Sequence, residues 1–150
     1  MPVSMPKQGT RILTVRGASN LPQTGQAPVF TIVGTVVAYA IEAEVTTIFQ
    51  AQANAVKWIA NPTVGSDTDI CATVEGNAAA VGAHLNITGT FASAMVKSTN
   101  GAHVHQASPV VLTDGTLDFS AAASSTGQYK SSILWEPLTA NARVIATAVT

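Results

Sequence analysis

Two histidines one residue apart are the side chains of this sequence best suited to chemistry. They are His103 and His105, within NGAHVHQASPVVLTDGTLDFS, residues 100–120. Successive side chains of a strand point to opposite faces, so a strand here would place both imidazoles on one face. Two imidazoles on one face are suited to metal binding or to proton transfer. His103 and His105 are therefore the candidate metal ligands.

A metal centre needs more ligands than these two side chains, and His84 is the only other histidine of the chain. Three copies around a threefold axis would supply six imidazoles from His103 and His105, a donor set that suits first-row transition metals. The alternative is a strand that carries two solvent-facing polar residues. We predict this alternative, with no essential metal and no cofactor.

The acidic residues suggest no catalytic pair. Asp67 and Asp69 in GSDTDI resemble the start of a calcium loop, but the sequence continues directly into the apolar ICATV without the further ligands that such a loop needs. We predict an acidic loop before a strand. Asp114, Asp118 and Glu136 would act as paired carboxylates only if the fold brought them together. No nucleophile elbow, phosphate loop or HEXXH motif is present, and we predict no catalytic residue and no enzymatic activity.

Cys71 is the single cysteine, so an internal disulfide is impossible and the residue is interpreted as a small apolar filler of a strand. The two tryptophans, Trp58 and Trp135, are expected in the core or in a subunit interface, where large aromatic side chains contribute most.

Apolar residues at period two, interrupted by Gly, Pro and Asn, are the dominant pattern and predict strands. The segment ANAVKWIANP fits a short helix ended by Pro62 or a strand, and we favour the strand. In SPVVLTDGTLDFS, a Thr-Asp-Gly turn between two apolar runs predicts a hairpin. Eight to ten short strands without a long amphipathic helix indicate an all-β fold, a jelly roll or a related β-sandwich.

The chain length of 150 residues fits one domain. Residues 1–10 contain Pro2, Pro6 and Gly9 and few hydrophobic residues. We predict an extended N-terminal arm over residues 1–10, either frayed or laid across a neighbouring molecule, and a single β-sandwich domain over residues 11–150.

Charged residues make up 10% of the sequence, against about 25% in an ordinary soluble domain. With a formal net charge of -1, copies of the chain repel one another weakly, which favours self-association. We predict a homo-oligomer, with a trimer preferred.

Nucleic acid and membranes are not expected partners. The seven basic residues are scattered rather than clustered, and a nucleic-acid partner requires a basic patch. The longest apolar run, VFTIVGTVVAYAIEAEV, is interrupted by Gly34 and reaches Glu42 and Glu44 before it could span a bilayer. The N-terminal residues lack the apolar segment of a secretory signal, which indicates synthesis in a cytosol.

Much of the chain resembles small structural or uncharacterised proteins of tailed bacteriophages. The similar segments are EVTTIFQAQANAVKWIANPTVGSDTDICA, LNITG, SAM and VVLTDGTLDFSAAASSTGQYKSSILWEPLTANARVIA, which span residues 42 to 146. The resemblance implies a virion component, namely a capsid cement or decoration protein of jelly-roll type, which is usually trimeric. No catalytic motif belongs to this pattern, so it implies no functional residue.

Two functions follow from these expectations. The first is a cement or decoration protein that is made in the host bacterial cytoplasm, binds the major capsid protein on the outer capsid surface of the virion and stabilises the shell. The alternative is an adhesion module of the tail, a fibre or the head surface. Such a module would bind a host receptor or glycan through loops such as ASNLPQTGQ or STNGAHVHQ.

Overall fold

A computed structural model describes residues 10–150, which form two antiparallel six-stranded sheets packed face to face. The strands are β1 (Ile12–Asn20), β2 (Gly25–Val33), β3 (Val36–Thr47), β4 (Ala55–Pro62), β5 (Thr68–Asp69), β6 (Val74–Glu75), β7 (His84–Asn86), β8 (Val96–Ser98), β9 (Val110–Leu112), β10 (Gly115–Ala121), β11 (Gln128–Pro137) and β12 (Arg143–Ala146). The prediction of an all-β sandwich is confirmed. Its assignment to the jelly-roll type stays a prediction.

The two sheets draw on strands from the whole described chain. Sheet A has the order β1-β11-β3-β7-β8, with β9 also paired to β3. Sheet B has the order β12-β2-β10-β4-β5, with β6 also paired to β4. The predicted arm over residues 1–10 lies outside the described residues, except for the exposed Thr10.

The core is formed by the inward faces of both sheets. In β4 and β10, period-two alternation turns Trp58 and Phe119 inward, and their rings meet edge to face with centroids 5.0 Å apart. The ring of Tyr129 from sheet A lies 4.7 Å from that of Phe119, so these aromatic side chains connect the two sheets. Burial of Trp58 and Trp135 agrees with the expectation for both tryptophans, and β4 confirms the strand interpretation of ANAVKWIANP.

A β-bulge at Tyr39 shifts the alternation of inward and outward side chains along β3. Leu134 of β11 pairs with Ala40, whereas Trp135 pairs with Ala38, so Tyr39 is an extra residue without a partner in the ladder. The Tyr39 hydroxyl donates a hydrogen bond to Glu136 Oε2 at 3.0 Å. This hydrogen bond raises the pKa of Tyr39 above its ordinary value, because the bond needs the protonated hydroxyl.

The predicted hairpin at Thr-Asp-Gly is wrong. β9 pairs with β3 in sheet A, whereas β10 pairs with β2 and β4 in sheet B, so this turn passes between the sheets. Asp114 binds two other loops: its Oδ1 accepts from Gly34 N at 2.6 Å and its carbonyl from Thr63 N at 2.8 Å. At Gly115, φ is 144°, a conformation that favours glycine.

Candidate functional site

The outward side of sheet A gathers a cluster of ionisable side chains that we call the Glu-His cluster: Glu42, His84 and His103. Glu42 Oε1 lies 3.5 Å from His84 Nδ1, and Glu42 Oε2 lies 3.4 Å from His103 Nε2. The two imidazole centroids are 4.8 Å apart. One potential ligand atom from each of the three residues lies within 4.8 Å of the others, which makes this the part of the described surface best suited to chemistry.

Strand pairing positions two members of the cluster. On β3, Ala43 and Val45 face the core, so the intervening Glu42 and Glu44 face outward. β7 pairs with β3 in antiparallel register, with His84 opposite Glu44. This register places the His84 imidazole beside both carboxylates.

A glutamine side chain positions the third member. Between β7 and β9, the edge of β3 is bonded by Gln106, whose Oε1 accepts from Ile41 N at 3.2 Å and whose Nε2 donates to Ala38 O at 3.2 Å. The Gln106 amide also donates to Ser108 O at 2.8 Å. These bonds hold the irregular segment 99–109 against sheet A, so that His103 lies over Glu42.

The prediction that His103 and His105 lie in a strand is wrong. Residues 102–106 have no regular secondary structure, because the side chain of Gln106 occupies backbone groups of β3 that a further strand would need. His103 joins the Glu-His cluster, whereas His105 lies outside it. Both border a small depression beside Asn86 and Gln106.

Charges around the cluster are paired across the sheet. Lys130 Nζ on β11 lies 3.0 Å from Glu44 Oε2, and the same carboxylate oxygen lies 4.0 Å from His84 Nε2. His84 Nδ1 is a buried nitrogen that has no hydrogen-bond partner within residues 10–150. A continuous polar row therefore runs from Lys130 through Glu44 and His84 to Glu42 and His103.

An apolar strip borders this row at the end of sheet A. Leu13 and Val15 on β1 are 61% and 54% exposed, and they line a shallow depression together with Glu44 and Lys130. Exposed hydrophobic side chains are common when scattered singly. These two share one face of a terminal strand, next to the charged row.

The acidic residues singled out in the sequence bind other side chains, and the Gln26 amide donates to both Asp67 and Asp118. Asp69 lies at the surface and forms an ion pair with Lys57 at 2.7 Å, and Asp67 accepts from Gln26 Nε2 at 2.8 Å. Buried Asp118 accepts from Thr116 Oγ1 at 2.6 Å, from Gln26 and from Asn61. The hydrogen-bond partners of Asp118 are thus distinct from those of Asp114 and of Glu136.

Cys71 is a buried free thiol whose Sγ accepts from Trp58 N at 3.3 Å. Burial raises the pKa of this thiol to about 11, so it is protonated near neutral pH. This environment agrees with the interpretation of Cys71 as a filler, although the residue lies in a bend between short strands.

Sequence reasoning missed Glu42 and His84 as members of a site. The signal for Glu42 was present, because EAEV alternates carboxylates with apolar residues and so predicts an acidic strand face. No local signal marked His84, since its place beside Glu42 depends on the pairing of two strands distant in the sequence.

Comparisons with protein-family models, with curated proteins and with solved structures gave no match to this chain. Within the described residues, no helix has the length and hydrophobicity to cross a membrane.

Proposed function

We propose that this protein is a non-enzymatic structural component of a bacteriophage virion, a cement or decoration protein that binds the outer capsid surface and stabilises the shell. The observation that carries the proposal is the exposed apolar strip on β1, the first strand of the sandwich. The virion resemblance of the sequence and its low charge support the same function.

β1 is the terminal strand of sheet A, and its two halves differ. The second half is covered by the C-terminal residues: Arg16 donates to Ala148 O at 2.8 Å, and Asn20 N donates to Thr150 O at 3.1 Å. For Ile12–Val15, β12 lies beside β1 without ladder pairing, and the hydrogen bond from the described C-terminal residues is that of Thr14 Oγ1 to Val144 O at 3.5 Å. A strand edge without ladder partners is a surface onto which another chain can add a strand.

The strip provides a hydrophobic contribution to such a contact. Full burial of a Leu or Val side chain contributes about 1.5–3 kcal/mol, and both residues begin largely exposed. In an isolated monomer, these exposed side chains add nothing to stability. In a protein that docks onto a repeating lattice, each bound copy gains the free energy of burying them. Decoration would then favour the intact shell over its dissociated subunits by mass action.

The partners in this proposal are the major capsid protein and further copies of the chain, with a trimer preferred. Closed symmetry is the usual arrangement of self-association, and the small charge of the chain opposes it little. The position on the virion is the outer capsid surface.

The experiment compares capsids that lack the protein with capsids to which it has been added back. We expect the wild-type protein to bind many lattice positions and to raise the temperature at which particles release DNA. The double variant Leu13→Lys/Val15→Lys should bind weakly, because it places two charges on the strip. Val64→Lys is the matched control, since Val64 is 88% exposed and lies in the loop between β4 and β5.

The proposal is wrong if undecorated particles resist heat as well as decorated ones, or if the double variant binds as tightly as Val64→Lys. Protein found in few copies and confined to the tail would instead support the adhesion module. A peptide count from purified virions distinguishes the two functions, because a cement is present at hundreds of copies.

A further inference from the structure

We propose that Glu42, His84 and His103 form a binding site for a divalent first-row transition metal ion, with Zn²⁺ as the probe that represents the class. The site is independent of the proposed virion function, because it requires no capsid and no second copy of the chain. It also differs from the pair suggested by the sequence, since it contains His103 without His105.

The donor set fits this class of ion. Imidazole suits zinc, copper, nickel and iron, whereas calcium and magnesium prefer oxygen ligands alone. Two imidazoles and one carboxylate are a ligand set that zinc accepts, with a fourth position left to water. The three side chains are 30%, 27% and 24% exposed for Glu42, His84 and His103, so the cluster borders solvent, and rotation of the side chains would open the buried His84 Nδ1 to an ion.

The distances are close to those a bound ion requires. Ligand bonds of about 2.0–2.1 Å in tetrahedral geometry place neighbouring ligand atoms about 3.3 Å apart. The observed separations are 3.5 Å from Glu42 Oε1 to His84 Nδ1 and 3.4 Å from Glu42 Oε2 to His103 Nε2, and one ligand atom from each of the three residues lies within 4.8 Å of the others. Binding would therefore require side-chain rotations that draw the two imidazole nitrogens closer together around one carboxylate.

The environment of His84 is an independent observation that points to a ligand. Its Nδ1 is buried and has no hydrogen-bond partner in the described chain, although it faces the Glu42 carboxylate. Its other nitrogen, Nε2, faces Glu44 at 4.0 Å, and Lys130 holds that carboxylate at 3.0 Å. Metal-bound histidines commonly direct their second nitrogen toward a carboxylate, which fixes the tautomer and the ring orientation.

Three separate parts of the chain supply the ligands, namely β3, β7 and the irregular segment 99–109. The bonds of Gln106 already hold that segment close to β3, which lowers the entropic cost of bringing His103 to the ion. A bound ion would attach the segment to sheet A at His103, in addition to its existing attachment at Gln106. Binding should therefore slow hydrogen exchange of backbone amides in residues 99–109.

The test is a titration of the full chain, purified without a polyhistidine tag, with Zn²⁺ by calorimetry and with Co²⁺ by visible absorption. We expect one ion per chain and the strong absorption of four-coordinate Co²⁺. His103→Asn and Glu42→Gln should each weaken Zn²⁺ binding by more than the 10- to 100-fold that loss of an outer-shell partner costs. His105→Asn is the matched control, and its affinity should stay within about twofold of wild type, because an unchanged ligand set leaves the binding free energy unchanged.

Hydrogen exchange supplies the second measurement, with added Zn²⁺ protecting residues 99–109 in wild type and in His105→Asn but not in His103→Asn. Near-ultraviolet circular dichroism verifies that each variant is folded. The proposal is overturned if Zn²⁺ does not bind, or if His103→Asn binds it as tightly as wild type. It is equally overturned if His105→Asn loses the same affinity, because the site would then be the histidine pair of the sequence.

Discussion

The two faces of β3 belong to two different regions of the molecule, the core and the outer surface of sheet A. Ala43 and Val45 point into the core and are fully buried, whereas Glu42 and Glu44 point outward and approach His84. The inward residues contact many apolar neighbours, so their positions depend on packing. The outward residues depend on a few directed contacts from β7, from β11 and from the segment 99–109. The same strand thus packs into the core with one face and presents ionisable side chains with the other.

The largest difference between the regions should come from a core deletion. Trp58→Ala removes a fully buried ring that packs against Phe119, and such substitutions cost about 3–5 kcal/mol. Leu13→Ala, at an exposed position of the apolar strip, should change stability by less than about 0.5 kcal/mol. Urea unfolding measures both. Equal losses would show that the strip belongs to the core of the isolated protein.

The turn between β9 and β10 tests how rigidly the sheets are connected. In Gly115→Ala, the new Cβ would collide with the backbone of Asn61 and Pro62, and φ at this position is positive. Gly25→Ala is the matched control, because φ is 118° but no atom lies within 4 Å of the new Cβ. We expect the control to cost about 1–3 kcal/mol from backbone strain and Gly115→Ala to cost more. Thermal unfolding with equal losses would contradict the close approach.

Alkaline pH should destabilise the core through Cys71 and Tyr129. Burial raises the pKa of Cys71 from 9.0 to about 11 and that of Tyr129 from 10.0 to about 12. The folded state therefore holds both protons more strongly than the unfolded state, and stability falls as pH rises from about 9 toward 12. Urea midpoints between pH 7 and 11 measure the loss. In Cys71→Ala the fall between pH 9 and 11 should be smaller, and an unchanged fall would contradict this role of the thiol.

The smallest effect is expected at the two histidines of the segment 99–109. In metal-free buffer, His103→Asn, His105→Asn and the double variant should each unfold within about 0.5 kcal/mol of wild type, because both positions lie on the surface. Differential scanning calorimetry measures this. A larger loss in metal-free buffer would mean that the Glu-His cluster supports the fold itself.

Period-two patterns predicted the parts of the fold that depend on neighbours in sequence. The alternation around Trp58 predicted β4, and the acidic alternation at Glu42 and Glu44 predicts one outward face. Both follow from the geometry of a single strand. The hairpin prediction at Thr-Asp-Gly was wrong because Asp114 binds two distant loops, which the local sequence does not reveal.

The candidate site was less predictable for the same physical reason. His103 and His105 resemble a strand pair, but the Gln106 side chain takes the backbone groups on β3 that a strand would use. His84 reaches Glu42 through the pairing of β3 and β7, which are separated by three strands in the chain. Single-sequence periodicity describes which way a side chain points but not which strand lies beside it.

The proposal that the outer face of sheet A binds the capsid is tested most directly by a cryo-electron microscopy reconstruction of capsids saturated with the wild-type protein. We predict density for the sandwich at many positions of the outer lattice, with Leu13 and Val15 of β1 buried against a capsid subunit. Density confined to the tail, or a capsid-bound sandwich with Leu13 and Val15 facing solvent, would contradict it.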